Sequence, residues 1–412
     1  MTHPKSPPGR IALVSEHASP LAELGGPDAG GQNVYVAQLA ERLARRGHDV
    51  TVYTRRDCDD AATVVRTPHG VKVVRVPAGP PTPVPKDELL RWMPDFGDYL
   101  AKAWRSARPD VVHAHFWMSG LAALAGTRGS GIPVIQTYHA LGTVKRRYQG
   151  TADTSPPERI EIESRIGCEA DRIIATCADE VTELLAMGVP RERIGVVPCG
   201  VDTRHFAPVP AATRRTGASR TLLAVGRLVP RKGFDRAIRA LAHVPDAELL
   251  IAGGPDAALL FADPEAERLR KTASEHGVTD RVRLLGCVPH DAMPGLMSGA
   301  DIVLSLPRYE PFGIVPIEAM ACGTPVVATA VGGHLDTVVD GVTGRLVPAD
   351  GDERDLARII RALLDDPVTR DRYGAAGRVH ALAHYTWDRV ADGVARVYAE
   401  LAPVPSPSEV AR

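Results

Sequence analysis

TLLAVGRLVPRKGFDRAIRAL, residues 221–241, reads as strand, loop and helix in succession. Thr221–Val225 is a short apolar run, Gly226–Gly233 is a loop rich in turn residues, and Phe234–Leu241 has helical spacing of its apolar positions. The unit is a restart. Just ahead of it, over Asp202–Ser219, Pro208, Pro210, Gly217 and Ser219 make a linker. The same alternation runs on both sides of that linker. Upstream, Arg10–Ser15, His48–Tyr53, Asp110–His113, Pro133–Thr137, Arg172–Ala175 and Ile194–Val197 read as strands. Val36, Leu39, Ala40 and Leu43 form the stripe of a helix that Gly47 ends. Downstream, Glu248–Ala252, Val282–Leu285, Asp301–Leu306 and Pro325–Thr329 read as strands, and Pro264–His276 and Pro316–Ala321 as helices. Such alternation predicts parallel sheets covered by helices on both faces. The expected fold class is α/β, with two Rossmann-like doubly wound domains facing across a cleft. They span 1–205 and 206–386. A last helix at about 387–401 is expected to cross back onto the first domain, and the tail 402–412 to be disordered.

A chain of 412 residues fits two cores better than one. Its net charge of −1, with both signs interspersed, argues against nucleic acid or an anionic membrane as the main partner. No run of about 18 apolar residues is present, so no spanning helix is expected. Met1–Arg10 is polar and lacks the apolar stretch of a signal peptide, which predicts a cytoplasmic protein. Cys58, Cys168, Cys177, Cys199, Cys287 and Cys322 form no Cys-x-x-Cys pair and are read as buried thiols in a reducing compartment.

Four stretches carry chemistry. Gly25-Gly26-Pro27-Asp28-Ala29-Gly30-Gly31-Gln32-Asn33 lies between the first strand and the first helix, where glycine amides and a helix N-terminus can approach an anion. It lacks the Gly-x-Gly-x-x-Gly of a dinucleotide site, which counts against a nicotinamide dehydrogenase. Arg227 and Lys232, expected on an exposed loop, suit two successive phosphates. The stretch 306–323 holds two glutamates, Glu310 and Glu318. Pro316 is read as the first helical residue, which puts Glu318 in the first turn, with the free amides of Phe312, Gly313, Ile314 and Val315 ahead of it. The fourth is His113 and His115, two apart at a strand end, together with His139 after the next strand. No third ligand stands near the pair, so no metal is expected there, and Asp57 and Asp59 sit on a polar loop without a metal site's surroundings. No cofactor is expected.

Together these stretches resemble the family 4 retaining glycosyltransferases of the GT-B fold. The most specific element is Glu310 to Glu318, followed by Ala-Cys-Gly-Thr-Pro-Val-Val and by Val331-Gly332-Gly333. Asp-Ala-Gly-Gly-Gln-Asn-Val-Tyr-Val, residues 28–36, is similar to the branch that holds sucrose-phosphate synthases and D-inositol-3-phosphate glycosyltransferases. The resemblance implies a metal-independent hexosyltransferase, with a nucleotide-diphosphate sugar, UDP in the first place, as donor and a small hydroxyl compound as acceptor. It implies that Gly30 and Gly31 face the donor phosphate, that Arg227 and Lys232 neutralise the pyrophosphate, and that Glu318 holds the ribose. Glu310, beside the 312–315 amides, and His139 would hold the transferred sugar. In the acceptor pocket, Lys86 and Arg165 match two cationic positions, whereas Phe116 and Ala140 replace a Tyr and a Thr hydroxyl of the inositol-phosphate pattern. An inactive, sugar-nucleotide-binding regulator is the alternative reading, and a homodimer is left open.

Overall fold

A computed structural model describes residues 9–22, 30–209 and 220–401. Two compact units emerge. One comprises the chain up to Thr176, Glu180–Val197 and the stretch from Asp388; the other comprises Cys177–Asp179 and Pro198–Trp387.

The first unit is built on eight strands: β1 Arg10–Val14, β2 Asp49–Arg55, β3 Val64–Arg66, β4 Lys72–Val76, β5 Val111–His115, β6 Val134–Thr137, β7 Arg172–Ala175 and β8 Ile194–Val196. Their order is β3-β4-β2-β1-β5-β6-β7-β8, parallel except that β3 runs antiparallel to β4. The sequence reading contained neither β3 nor β4. The second unit has six parallel strands: β9 Arg220–Val225, β10 Ala247–Ala252, β11 Val282–Gly286, β12 Ile302–Ser305, β13 Val326–Thr329 and β14 Gly344–Val347. They are ordered β11-β10-β9-β12-β13-β14.

Central strands are buried along their whole length, as β5, β6 and β13 are, because helices cover both faces. Phe96, Leu100, Trp104, Met118 and Ile166 fill the first core, and Phe234, Ile238, Leu241, Leu249 and Leu269 the second. The helix Trp387–Leu401 packs in the first unit: Tyr398 Oη lies 2.8 Å from His113 Nδ1, and Arg46 pairs with Asp392 at 2.8 Å.

Both sheets reverse their winding direction once. In the first, the chain moves outward from β1 through β2 and returns to β5 on the other side of β1. In the second, β9 has β10 on one side and β12 on the other. The chain segments that follow β1 and β5, and β9 and β12, therefore continue in opposite directions from a switch point, where open α/β sheets leave room for a ligand. Among the described residues no helix is long and apolar enough to cross a membrane.

Candidate active site

In the second unit the loops after β9 and β12 meet. Gly233 adopts φ 70°, and a Cβ there would lie 2.0 Å from the Leu306 carbonyl oxygen, so only glycine permits this approach. It brings Lys232 to Glu310. Lys232 Nζ lies 2.5 Å from Glu310 Oε2, and Arg231 lies 3.8 Å from the same oxygen. The Lys232 and Glu310 side chains are only 15% and 13% exposed, so Lys232 does not lie on an exposed loop; it ends a short 3-10 turn, Pro230–Lys232, folded over the carboxylate. Burial would raise the Glu310 carboxyl, but Lys232 and Arg231 outweigh it and hold it at about 2. Burial lowers the Lys232 ammonium below its ordinary value, an effect partly offset by Glu310. Arg227, nearby, is exposed.

The helix Ile314–Ala321 begins two residues earlier than Pro316 suggests. Gly313, at φ 87°, is its N-cap, and no acidic residue lies in its first turn. Glu318 is therefore a second-turn residue, and its environment is set by burial, which raises its carboxyl to about 8, more than by the helix dipole. Ile314 and Val315 keep the amides that a helix start leaves without intrahelical partners, while Pro316 has none to offer. Phe312 is buried against Tyr385, with ring centroids 6.2 Å apart. His334, absent from the sequence reading, is buried beside Glu310 and Gly313, its Nδ1 2.9 Å from the Thr329 carbonyl. The only signal for it was the glycine pair just before it.

In the first unit Phe116 and His139 follow β5 and β6. Among the described residues they are the two non-glycine positions with positive φ, 80° and 60°. Such backbone strain clusters at binding sites. His139 Nε2 lies 3.1 Å from His115 Nδ1, and its ring packs edge-on to Tyr35. Burial, reinforced by His17, lowers His139 to about 3, so it acts as a neutral ring. His113 is wholly buried between Tyr398 and Thr137, and burial lowers it to about 3 as well. Among the described residues no group of three or more His, Cys, Asp or Glu side chains could hold a metal, and Asp59 pairs with Arg56 at 2.6 Å.

Two cations cover the Phe116 ring. Lys86 Nζ is 5.4 Å and Arg159 Cζ 5.1 Å from its centroid. The second is not Arg165, which is exposed and lies 3.9 Å from Glu169. Arg159 is held by Glu163 at 2.7 Å, by the Ala140 carbonyl at 2.7 Å and by Ser155 at 3.1 Å. Gly30 caps the helix Gly31–Arg45; its N–H donates to Asn33 Oδ1 at 3.0 Å, and the space where a Cβ would stand is open. Gly31 is exposed. Gly25 to Ala29, the linker over 210–219 and the tail 402–412 lie outside the described residues.

This geometry can be set beside known proteins. Residues 29–205 match the model of Glycosyltransferase Family 4, and residues 210–380 that of Glycosyl transferases group 1. The chain belongs to the family 4 glycosyltransferases. It is 39% identical over 408 residues to D-inositol 3-phosphate glycosyltransferase 1 of Catenulispora acidiphila, covering 95% of this chain and 96% of the other. It is 38% identical over 404 residues to the D-inositol 3-phosphate glycosyltransferase of Mycolicibacterium smegmatis, covering 95% and 91%. Among solved structures, sucrose-phosphate synthase of Thermosynechococcus elongatus superposes with a TM-score of 0.86 at 33% identity, covering 95% and 99%. Anabaena HepE, solved with UDP and glucose, shares the fold with a TM-score of 0.74 at 20% identity, covering 95% and 100%. The chain is thus a transferase of the GT-B fold.

Proposed function

We propose that this glycosyltransferase moves a hexose or N-acetylhexosamine, with retention, from a UDP-sugar to a small polyol acceptor of the cyclitol or sugar-phosphate type. The observation that carries the reading is the Lys232–Glu310 pair at the second switch point, next to the amides that open the helix Ile314–Ala321. Breaking the anomeric carbon–oxygen bond leaves charge on a diphosphate. Arg227, Lys232 and the Ile314 and Val315 amides stabilise that charge more in the transition state than in the ground state, without a metal. Gly30 and Gly31 line the phosphate path, and Glu318 accepts from ribose hydroxyls. Glu310 orients Lys232 and reaches the transferred sugar, and neutral His139 also hydrogen-bonds that sugar. Glu310 is tied up in an ion pair, so a carboxylate nucleophile of the retaining-glycosidase kind has no free candidate in it. Retention then follows from front-face attack, with the departing phosphate oxygen taking the acceptor's proton.

Lys86 and Arg159 form the anion-binding side of the acceptor pocket. The names of the relatives make D-inositol 3-phosphate the first acceptor to test, but Phe116 and Ala140 offer it no hydroxyls. The experiment is mass spectrometry of reactions containing UDP-glucose or UDP-N-acetylglucosamine with a panel of cyclitols, sugars and their phosphates. A transferred hexosyl mass with at least one of them is expected. UDP-sugar binding without any transfer would favour the inactive regulator.

A further inference from the structure

Glu16 immediately follows Ser15 at the end of β1 and is buried, 1% exposed. Three bonds hold it. Its N–H donates to Ser119 Oγ at 2.9 Å, Ser119 Oγ donates back to its Oε2, and its Oε1 lies 2.6 Å from His17 Nδ1. Ser119 belongs to the helix Trp117–Thr127 after β5, so the carboxylate ties the loop that leaves β1 to the helix that follows β5 at the first switch point. His17 stands edge-on to Phe116, ring centroids 4.9 Å apart, on the same ring that Lys86 and Arg159 cover.

We infer that Glu16 is a positioning residue: it holds His17 with its proton on Nδ1, so that Nε2 accepts a hydrogen bond from a hydroxyl of the acceptor seated beside Phe116. The inference rests on reading this pocket as the acceptor site. A buried carboxylate that accepts from one ring nitrogen fixes the proton there, and in the neutral ring that leaves the other nitrogen bare. Lys86 and Arg159 only donate, so they suit an anionic group, whereas a bare Nε2 only accepts, so it suits a hydroxyl. The two together select a polyol with an anionic substituent over a neutral polyol or a simple anion. His17 transfers no proton in this scheme.

The test uses the full chain in four forms: native, Glu16→Leu, Glu16→Gln and His17→Phe. The His17→Phe form keeps a ring against Phe116 but removes both nitrogens. Nitrogen-15 NMR of labelled histidine is expected to show His17 as the Nδ1–H tautomer in the native chain and in Glu16→Gln, and to show loss of that preference in Glu16→Leu. With a UDP-sugar and D-inositol 3-phosphate, kcat/KM for the acceptor should fall about tenfold in Glu16→Leu and in His17→Phe, the size of one lost hydrogen bond. It should recover largely in Glu16→Gln, while KM for the donor moves less than about twofold. If Glu16→Leu fails to fold, His17→Phe and the native tautomer still decide. An Nε2–H tautomer in the native chain, or normal acceptor kinetics in His17→Phe, overturns the inference alone. A native chain that transfers to no acceptor overturns the functional reading and the inference with it.

Discussion

Lys232 faces a carboxylate that it keeps ionised, and this couples its chemical and structural roles. Truncation to alanine removes a cation from the proposed diphosphate site and leaves the largely buried Glu310 with Arg231, 3.8 Å away, as its remaining cation. Turnover of Lys232→Ala should drop by at least about 100-fold. Stability should fall, but by less than the roughly 3–5 kcal/mol that breaking a fully buried pair from one side costs, because Arg231 stays beside Glu310. In Lys232→Ala with Glu310→Gln, chemical denaturation should show stability largely restored while activity stays lost. Near-normal turnover in the single variant would contradict the phosphate role. In the proposed acceptor pocket of the first unit, Phe116→Tyr with Ala140→Thr adds two hydroxyls beside Lys86 and Arg159. Each new bond to a phosphate contributes roughly 1.5–3 kcal/mol at most, so kcat/KM for D-inositol 3-phosphate should rise about tenfold or more over a poor native value. Efficient use of that acceptor by the native chain would show that two cations suffice.

Single elements explain where the sequence was readable and where it was not. Phe234–Leu241 was legible from the spacing of its apolar residues, and the structure forms it over those residues. β3 has three residues and one antiparallel partner, too short for periodicity to mark. The start of Ile314–Ala321 was misread because Pro316 suits the third helical position as well as the first, and Gly313 supplies the cap. The Arg159–Arg165 error has a similar origin. Both lie on the helix Arg159–Glu169, and six steps of about 100° turn them about 120° apart. One faces Phe116 and the other faces solvent, which the motif position alone did not separate. Glu318 was placed in the right helix, but not in its half-buried setting. Its carboxyl, raised from 4.5 to about 8, keeps a proton in the folded chain that the unfolded chain releases at lower pH. The unfolded state binds fewer protons in that window, so the Glu318 contribution to stability declines as pH rises from about 4.5 to about 8. Glu318→Gln does not titrate. Its Tm relative to the native chain should therefore climb between about pH 5 and about pH 8.5, as read by thermal unfolding in matched buffers. A gap that stays flat or shrinks would contradict a protonated Glu318.

At the scale of the whole molecule, the doubling of strand–loop–helix units on either side of the linker was visible in the sequence, because parallel strands and covering helices leave strong periodicities. Contacts between residues far apart in the chain were not visible: Lys232 with Glu310 and Glu16 with Ser119 depend on which segments leave adjacent strands, and His113 with Tyr398 on the last helix packing against β5. The arrangement supplies positive potential from side chains and amides, so activity should stay within about twofold after treatment with EDTA. Loss on chelation, restored by Mn²⁺ or Mg²⁺, would bring Asp57 and Asp59 back as ligands. The central claim is retaining transfer from a nucleotide sugar, and water can stand in for the acceptor. Proton NMR of the chain with UDP-glucose alone should show slow release of UDP, with α-glucose as the first anomer formed. The β-anomer appearing first, or no release of UDP at all, would contradict the account.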